Sequence, residues 1–179
     1  PPHLARGRKP IKFIYGTEVI MFMPPLAPIK ILSMNPNGIK TRGSHDTYPR
    51  LKQLLSAANR IKADVILLQE HNLKYEDGAK TRSIMKAMGY AAAIGYCRSE
   101  ESKGGSAILA RRRTFGLLPN ETLEHTTHLG GRVTIAQIPM DRIEGASEVA
   151  SALPVASVYV PAHAQLRGVF LERLAKAKV

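Results

Sequence analysis

"DVILLQEHNL", residues 64–73, is the stretch that decides the reading of this chain. Four large aliphatics, Val65 to Leu68, run into Gln69, Glu70, His71 and Asn72. Apolar side chains at consecutive positions must face both sides of a strand, so the pattern predicts a central strand covered on both faces. A buried strand that stops on a carboxylate delivers a charge to the edge of its sheet. That edge is either a site or simply where the strand meets solvent.

The flanking segments enclose this strand in a layered arrangement. "IKILSM" (29–34) reads as a strand, and "NPNG" (35–38) ends it, because Pro36 has no N–H for a ladder and Gly38 permits positive φ. "YPRLKQLLSAANRI" (48–61) places Leu51, Leu54, Leu55, Ala58 and Ile61 at helical spacing, with Asp46 or Thr47 as cap and Pro49 in the first turn. Strand, helix and strand in this length predict a βαβ unit. A second helix spans 79–88 and ends at Gly89. Strands are then expected at 90–97, 106–112, 121–127, 132–138 and 155–160, with a loop over 139–154. A last helix, 164–177, carries Leu166, Val169, Phe170, Leu174 and Ala177 on one face. Interleaved strands and helices make the class α/β or α+β, with a layered core.

Composition narrows the partners. The 179 residues, 44% hydrophobic, suit one domain with a substantial core. The formal charge is +12, and residues 1–62 hold 11 basic and 2 acidic side chains, which places +9 of it in the first third. Such a surface attracts polyanions, chiefly nucleic acid. Cys97 is the only cysteine, which excludes an internal disulfide and a thiolate metal cluster and fits a reducing compartment. "VIMFMPPLAP" is too short and too proline-broken to span a bilayer, and no secretory signal is read. Residues 1–28, rich in proline and basic side chains, are expected to be a poorly ordered lead-in to a domain over 29–179.

Two strands therefore end in polar residues at one edge: Asn35 and Asn37 after the first, Glu70 after the second. Carboxylate and amide oxygens suit a hard cation such as Mg²⁺. A strand-terminal glutamate is more often solvated or paired with a lysine. His71 and His163 are expected to be exposed, Cys97 to be a small core residue, and "RRR" (111–113) to meet either solvent or a DNA backbone. His125 and His128, three apart in a strand, fall on opposite faces and do not suit a zinc site.

The order of motifs adds a resemblance. "IKILSMNPNGI", "ADVILLQEHNL", "KGGSAILARR", "GGRVTIAQI" and "VASVYVPAHAQLRGVFLERL" together resemble the endonuclease/exonuclease/phosphatase superfamily. Within it they are most similar to the endonuclease domain of LINE-type, non-LTR retrotransposons. The resemblance implies a DNase I-like four-layer α/β sandwich, here C-terminally incomplete, and a divalent-metal-dependent DNA endonuclease using Mg²⁺ or Mn²⁺. By matching position it implies Glu70 as the metal-binding glutamate, Asn37 beside the metal, and Asn35 and Tyr159 at the scissile phosphate. It implies Arg167 as a DNA contact, and Lys40 and Arg42 in the basic first third are further candidate nucleic-acid contacts. Gly104 and Gly105 match a tight turn into a core strand.

The sequence departs from the family pattern in four places. The later Asp-x-Asn and catalytic His motifs are not found, Pro36 separates the two asparagines, Ala162 stands where many members have asparagine, and the 139–154 stretch is long. The expectation is a fragment that is inactive alone. The C-terminal half of the domain and a reverse transcriptase would lie in a complete nuclear or cytoplasmic protein. The alternatives are another phosphodiesterase of the superfamily, acting in repair or on phosphoinositides, and a decayed copy that only binds nucleic acid.

Overall fold

The structure is a computed structural model that describes residues 28–39, 48–97, 104–143, 151–161 and 164–176. The lead-in, the capping residues Asp46 and Thr47, and Lys40, Arg42 and His163 lie outside the described residues.

The first sheet has the order β1-β2-β4-β3, formed by β1 (Ile31–Met34), β2 (Val65–Gln69), β3 (Tyr90–Gly95) and β4 (Ser106–Arg111). β1 and β2 are parallel, joined by α1 (Pro49–Arg60), which is the expected βαβ unit. β4 runs antiparallel to both β2 and β3. The second sheet, β5-β6-β7, is wholly antiparallel: β5 (Glu124–His128), β6 (Val133–Pro139) and β7 (Ala152–Val158). A 3₁₀ turn, Tyr75–Asp77, leads into α2 (Gly78–Ala87), and α3 (Ala164–Lys176) comes last.

The side-chain parity of β2 shows why its apolar run is continuous. Ile66 and Leu68 pack into a core with Leu51, Leu55, Ala58 and Met85 from the helices. Val65 and Leu67 pack on the opposite face, into a core with Phe115, Ala136 and Ile138. β3 and β4 divide in the same way, Ala92 and Leu109 toward the helices and Ala93 and Ile108 toward the second sheet. The first sheet is thus sandwiched between α1 and α2 on one side and the second sheet on the other. Burying a strand on both faces removes each large side chain from water, at roughly 25 cal/mol per Å² of apolar surface.

Several local expectations change. α1 starts at Pro49 as expected, but its N-cap is Tyr48, which makes no side-chain cap bond; its hydroxyl donates to buried Asp77 at 2.6 Å instead. β7 begins at Ala152, inside the stretch read as loop. The expected apolar face of α3 is largely uncovered: Phe170 is buried, whereas Leu166 and Val169 are 58% and 50% exposed. Arg111 is no surface arginine. It is 6% exposed, donates through Nε to the Ala63 carbonyl at 2.8 Å and through Nη2 to the Tyr90 hydroxyl at 2.7 Å. Arg112 donates to the carbonyls of Leu118 and Glu121. Only Arg113 of the three is exposed. Cys97 is buried, as expected. Among the described residues no helix is long and apolar enough to cross a membrane.

Candidate active site

The register of the sheets places the polar strand ends together. Met34 pairs with Leu68, so parallel β1 and β2 deliver Asn35 and Glu70 to the same edge. Asn35 Nδ2 donates to Glu70 Oε2 at 3.0 Å, and Asn35 Oδ1 accepts the Asn37 backbone N–H at 2.9 Å. The Gly38 N–H then closes on the Glu70 carbonyl at 2.8 Å. Three residues here hold left-handed backbone without being glycine: Asn37, Glu70 and Asn72, with φ of 48°, 52° and 59°. Such conformations cost of order 1–3 kcal/mol each and persist where surrounding contacts over-determine them. Those contacts are visible: Asn72 donates its N–H to the Gly104 carbonyl and accepts the Gly104 N–H on Oδ1, both within 2.9 Å.

The second sheet contributes the remaining side chains. Tyr159 follows β7, and its N–H bonds the Arg132 carbonyl at 2.7 Å. The Arg132 guanidinium lies 5.3 Å from the centre of the Tyr159 ring. Burial raises the pKa of the Tyr159 phenol, and the negative charge of Glu70 raises it further, against the opposing effect of Arg132. Tyr159 is therefore a neutral O–H donor at physiological pH. Beneath it a polar seam ties the sheets together. Ser157 Oγ donates to the Leu68 carbonyl at 3.0 Å, and Gln69 Nε2 reaches Ser33 Oγ at 3.2 Å and Ser157 Oγ at 3.4 Å.

His71 is the main correction. It is fully buried rather than exposed. The left-handed turns at Glu70 and Asn72 tuck its ring under Gly105, where an added Cβ would stand 2.4 Å from Cε1. Nδ1 accepts the Leu73 N–H at 3.0 Å, so the proton of the neutral ring belongs on Nε2. That N–H approaches the Ser106 and Gly95 backbones without the geometry of a full hydrogen bond. Desolvation lowers the His71 pKa from 6.5 to about 4. A buried neutral imidazole of this kind supports the loop that carries Glu70 and is no general base.

Of the residues expected at the site, Asn35, Asn37, Glu70 and Tyr159 come together. Arg167 is exposed on α3 and makes no hydrogen bond to any of them. Arg132, Gln69 and Ser157 were not singled out from the sequence. Arg132 had a usable signal, since it follows Gly130 and Gly131, both at positive φ, at the start of a strand on this same edge.

A hard cation fits the oxygen chemistry of this edge. Glu70 supplies a carboxylate and Asn37 an exposed amide, and Mg²⁺ commonly takes one or two carboxylates while keeping waters and substrate phosphate. Among the described residues no group of three or more His, Cys, Asp or Glu gathers, so a closed, all-protein metal cage is not part of this arrangement.

No family model matches the chain, and no curated protein matches it either. Solved structures do. An AP endonuclease from Archaeoglobus fulgidus superposes with a TM-score of 0.55 at 20% identity, covering 83% of this chain and 50% of its own. The AP endonuclease LMAP from Leishmania major gives 0.51 at 19% identity, covering 73% and 40%. The chain has the DNase I-like fold. That fold is shared across the endonuclease/exonuclease/phosphatase superfamily, to which the sequence motifs pointed. The endonuclease domain of TRAS1, a telomere-specific non-LTR retrotransposon, is also similar, at 13% identity, covering 82% and 52%, but its TM-score of 0.45 adds nothing to the assignment. The chain spans half or less of the two AP endonucleases.

Proposed function

We propose that residues 29–179 are the N-terminal portion of a divalent-metal-dependent DNA endonuclease domain of the LINE retrotransposon type, and that Glu70 holds the metal. The observation that carries the proposal is the Asn35–Glu70 hydrogen bond at the ends of two parallel strands, with Tyr159 and Arg132 brought beside it by the second sheet. Glu70 and Asn37 would hold Mg²⁺ or Mn²⁺, which supplies Lewis-acid stabilisation of charge on a phosphate oxygen. The chain's own residues have distinct tasks. Asn35 orients the Glu70 carboxylate through Nδ2. The Tyr159 phenol, neutral at physiological pH, donates to a non-bridging phosphate oxygen. Arg132, stacked on Tyr159, holds that ring and adds positive charge beside it.

Among the described residues, what the site holds is binding and orientation. The one histidine next to Glu70 is buried and neutral, and its accepting nitrogen is already engaged by Leu73. We therefore read the chain as competent to bind metal and DNA phosphate but not to nick by itself, the water-activating groups belonging to the rest of the domain. In the complete protein, nuclear or cytoplasmic, the nick would prime a reverse transcriptase.

The test separates binding from cleavage. Mn²⁺ should broaden the backbone amide signals of Asn35, Gly38, Glu70 and Tyr159, and Glu70→Gln should abolish the broadening without unfolding the chain. Broadening that survives Glu70→Gln overturns the metal assignment and favours a remnant that only binds nucleic acid. Mg²⁺-dependent nicking of supercoiled plasmid, lost on Glu70→Ala, overturns the reading of the chain as inactive alone.

A further inference from the structure

A cleft lined by basic side chains lies at the opposite edge of the first sheet. Glu70 follows the end of β2, whose last residue, Gln69, pairs with Ser106 at the start of β4. β4 runs away from that edge and ends at Arg111 beside Tyr90. Five residues of strand separate the two edges by roughly 17 Å. At the far edge a cleft of about 360 Å³ opens between α2 and the loop that precedes β5. Arg82, Ser83 and Lys86 line one wall, Arg112, Asn120 and Glu121 the other, with Tyr90 and Ala92 also in the lining.

Its charge balance is unusual. The three cations form no ion pair with a carboxylate among the described residues; each is anchored instead by neutral oxygens. Arg82 Nη1 donates to the Ala92 carbonyl at 3.2 Å, and Lys86 Nζ to Asn120 Oδ1 at 3.0 Å. Arg112 donates to the carbonyls of Leu118 and Glu121. The one carboxylate in the lining, Glu121, spends its hydrogen bonds elsewhere, Oε2 accepting Arg142 Nη1 at 2.7 Å and the Leu118 N–H at 2.5 Å, and offsets the Arg112 charge only in part. Three like charges held at one cleft by neutral anchors repel one another, and an anion entering the cleft relieves that repulsion. Arg82 and Lys86 each spend one donor on their anchor, which leaves further N–H groups for such a ligand.

We propose that this cleft is an anion site for a phosphate group of a nucleic-acid strand, distinct from the Glu70 edge. Its anchored side chains resist collapse when it is empty, and its position along β4 lets one polyanion engage both edges. The assignment does not depend on Glu70 holding a metal.

The experiment is an amide NMR titration of the whole chain with a ten-nucleotide single strand and, separately, with inorganic phosphate. Expected are saturable shifts at Ser83, Lys86, Asn120 and Thr122, persisting in Glu70→Ala. Arg82→Ala/Lys86→Ala should weaken strand affinity at least tenfold and reduce the salt slope of log K by about 1.4, two contacts at ~0.7 each. Arg82→Lys/Lys86→Arg, which keeps the charge, should restore binding and controls for misfolding. Shifts with inorganic phosphate but none with the strand overturn the nucleic-acid assignment. No shifts at these amides with either, or shifts unchanged in the double alanine variant, overturn the site itself.

Discussion

Replacing Arg111 by methionine tests whether the arginine run after β4 belongs to the core or to a DNA surface. Arg111 is 6% exposed, and its two shorter hydrogen bonds, to the Ala63 carbonyl and the Tyr90 hydroxyl, are 2.8 and 2.7 Å long. A third, to the Ala58 carbonyl, is 3.4 Å, and the guanidinium lies 5.1 Å from the Tyr90 ring centre. Asp64 Oδ1 is 3.9 Å from Nε, but that carboxylate also accepts Thr114 Oγ1 at 2.7 Å and the Lys30 N–H at 3.0 Å, so it stays satisfied when Arg111 is removed. The loss thus comes mainly from the two short charge-assisted bonds, about 1.5–3 kcal/mol each. Methionine keeps the apolar stem in place and recovers part of this, which leaves a net loss of about 3 kcal/mol. At about 2–4 °C per kcal/mol for a chain of this size, Tm should fall by about 6–12 °C. Arg113→Met, at an exposed position, is the control and should leave Tm unchanged. Urea unfolding and a DNA-binding titration on both variants complete the assay. If Arg111→Met melts with the wild type while losing DNA affinity, the core assignment is wrong.

Three further predictions follow from the same contacts. Gly105→Ala should destabilise by about 2 kcal/mol or more, because φ is +81° and the new Cβ meets the buried His71 ring; a change in urea midpoint no larger than that of a surface alanine would count against it. Above pH 10 stability should fall: burial raises the Tyr90 pKa in the fold above its usual 10, so the unfolded chain loses that proton first and is favoured as pH rises. Tyr90→Phe should flatten that alkaline slope, and an unchanged slope in pH-dependent melts would refute the assignment. Asn35→Asp sets a second carboxylate against Glu70 Oε2, where the amide now donates at 3.0 Å. The variant should melt lower without metal and gain more Tm from Mn²⁺ than the wild type does; an equal or smaller gain would mean that Glu70 does not hold the ion.

Helices and strands of the first sheet were legible because their periodicity is a local property of the chain. The run Val65–Leu68 can satisfy its burial only as a central strand, and the leucines of 48–61 only as one face of a helix. The βαβ unit, Pro49 at the start of α1 and the edge shared by Asn35 and Glu70 all follow from that. α3 was legible as a helix for the same reason, but its burial was not: an apolar stripe is a statement about the helix, whereas burial depends on what lies opposite, and Phe170 is buried there while Leu166 and Val169 stay exposed.

His71 and Arg111 mark what the chain could not announce by itself. His71 stands between Glu70 and Asn72, and Arg111 opens a run of three arginines, so their sequence context reads as surface. They are buried because left-handed turns at Glu70 and Asn72 and the ladder of β4 carry them inward, where backbone carbonyls and amides from distant segments accept or donate to them. The same holds for the site. Sequence alone supplied a glutamate, two asparagines and a tyrosine at the ends of separate strands. Tertiary structure decided that Asn35 hydrogen-bonds the Glu70 carboxylate, that Arg132 stacks on Tyr159, and that Ser157 and Gln69 tie the two sheets together beneath them. Periodicity reports which face of an element is apolar, and only the packing of one element on another sets which polar groups meet at its end.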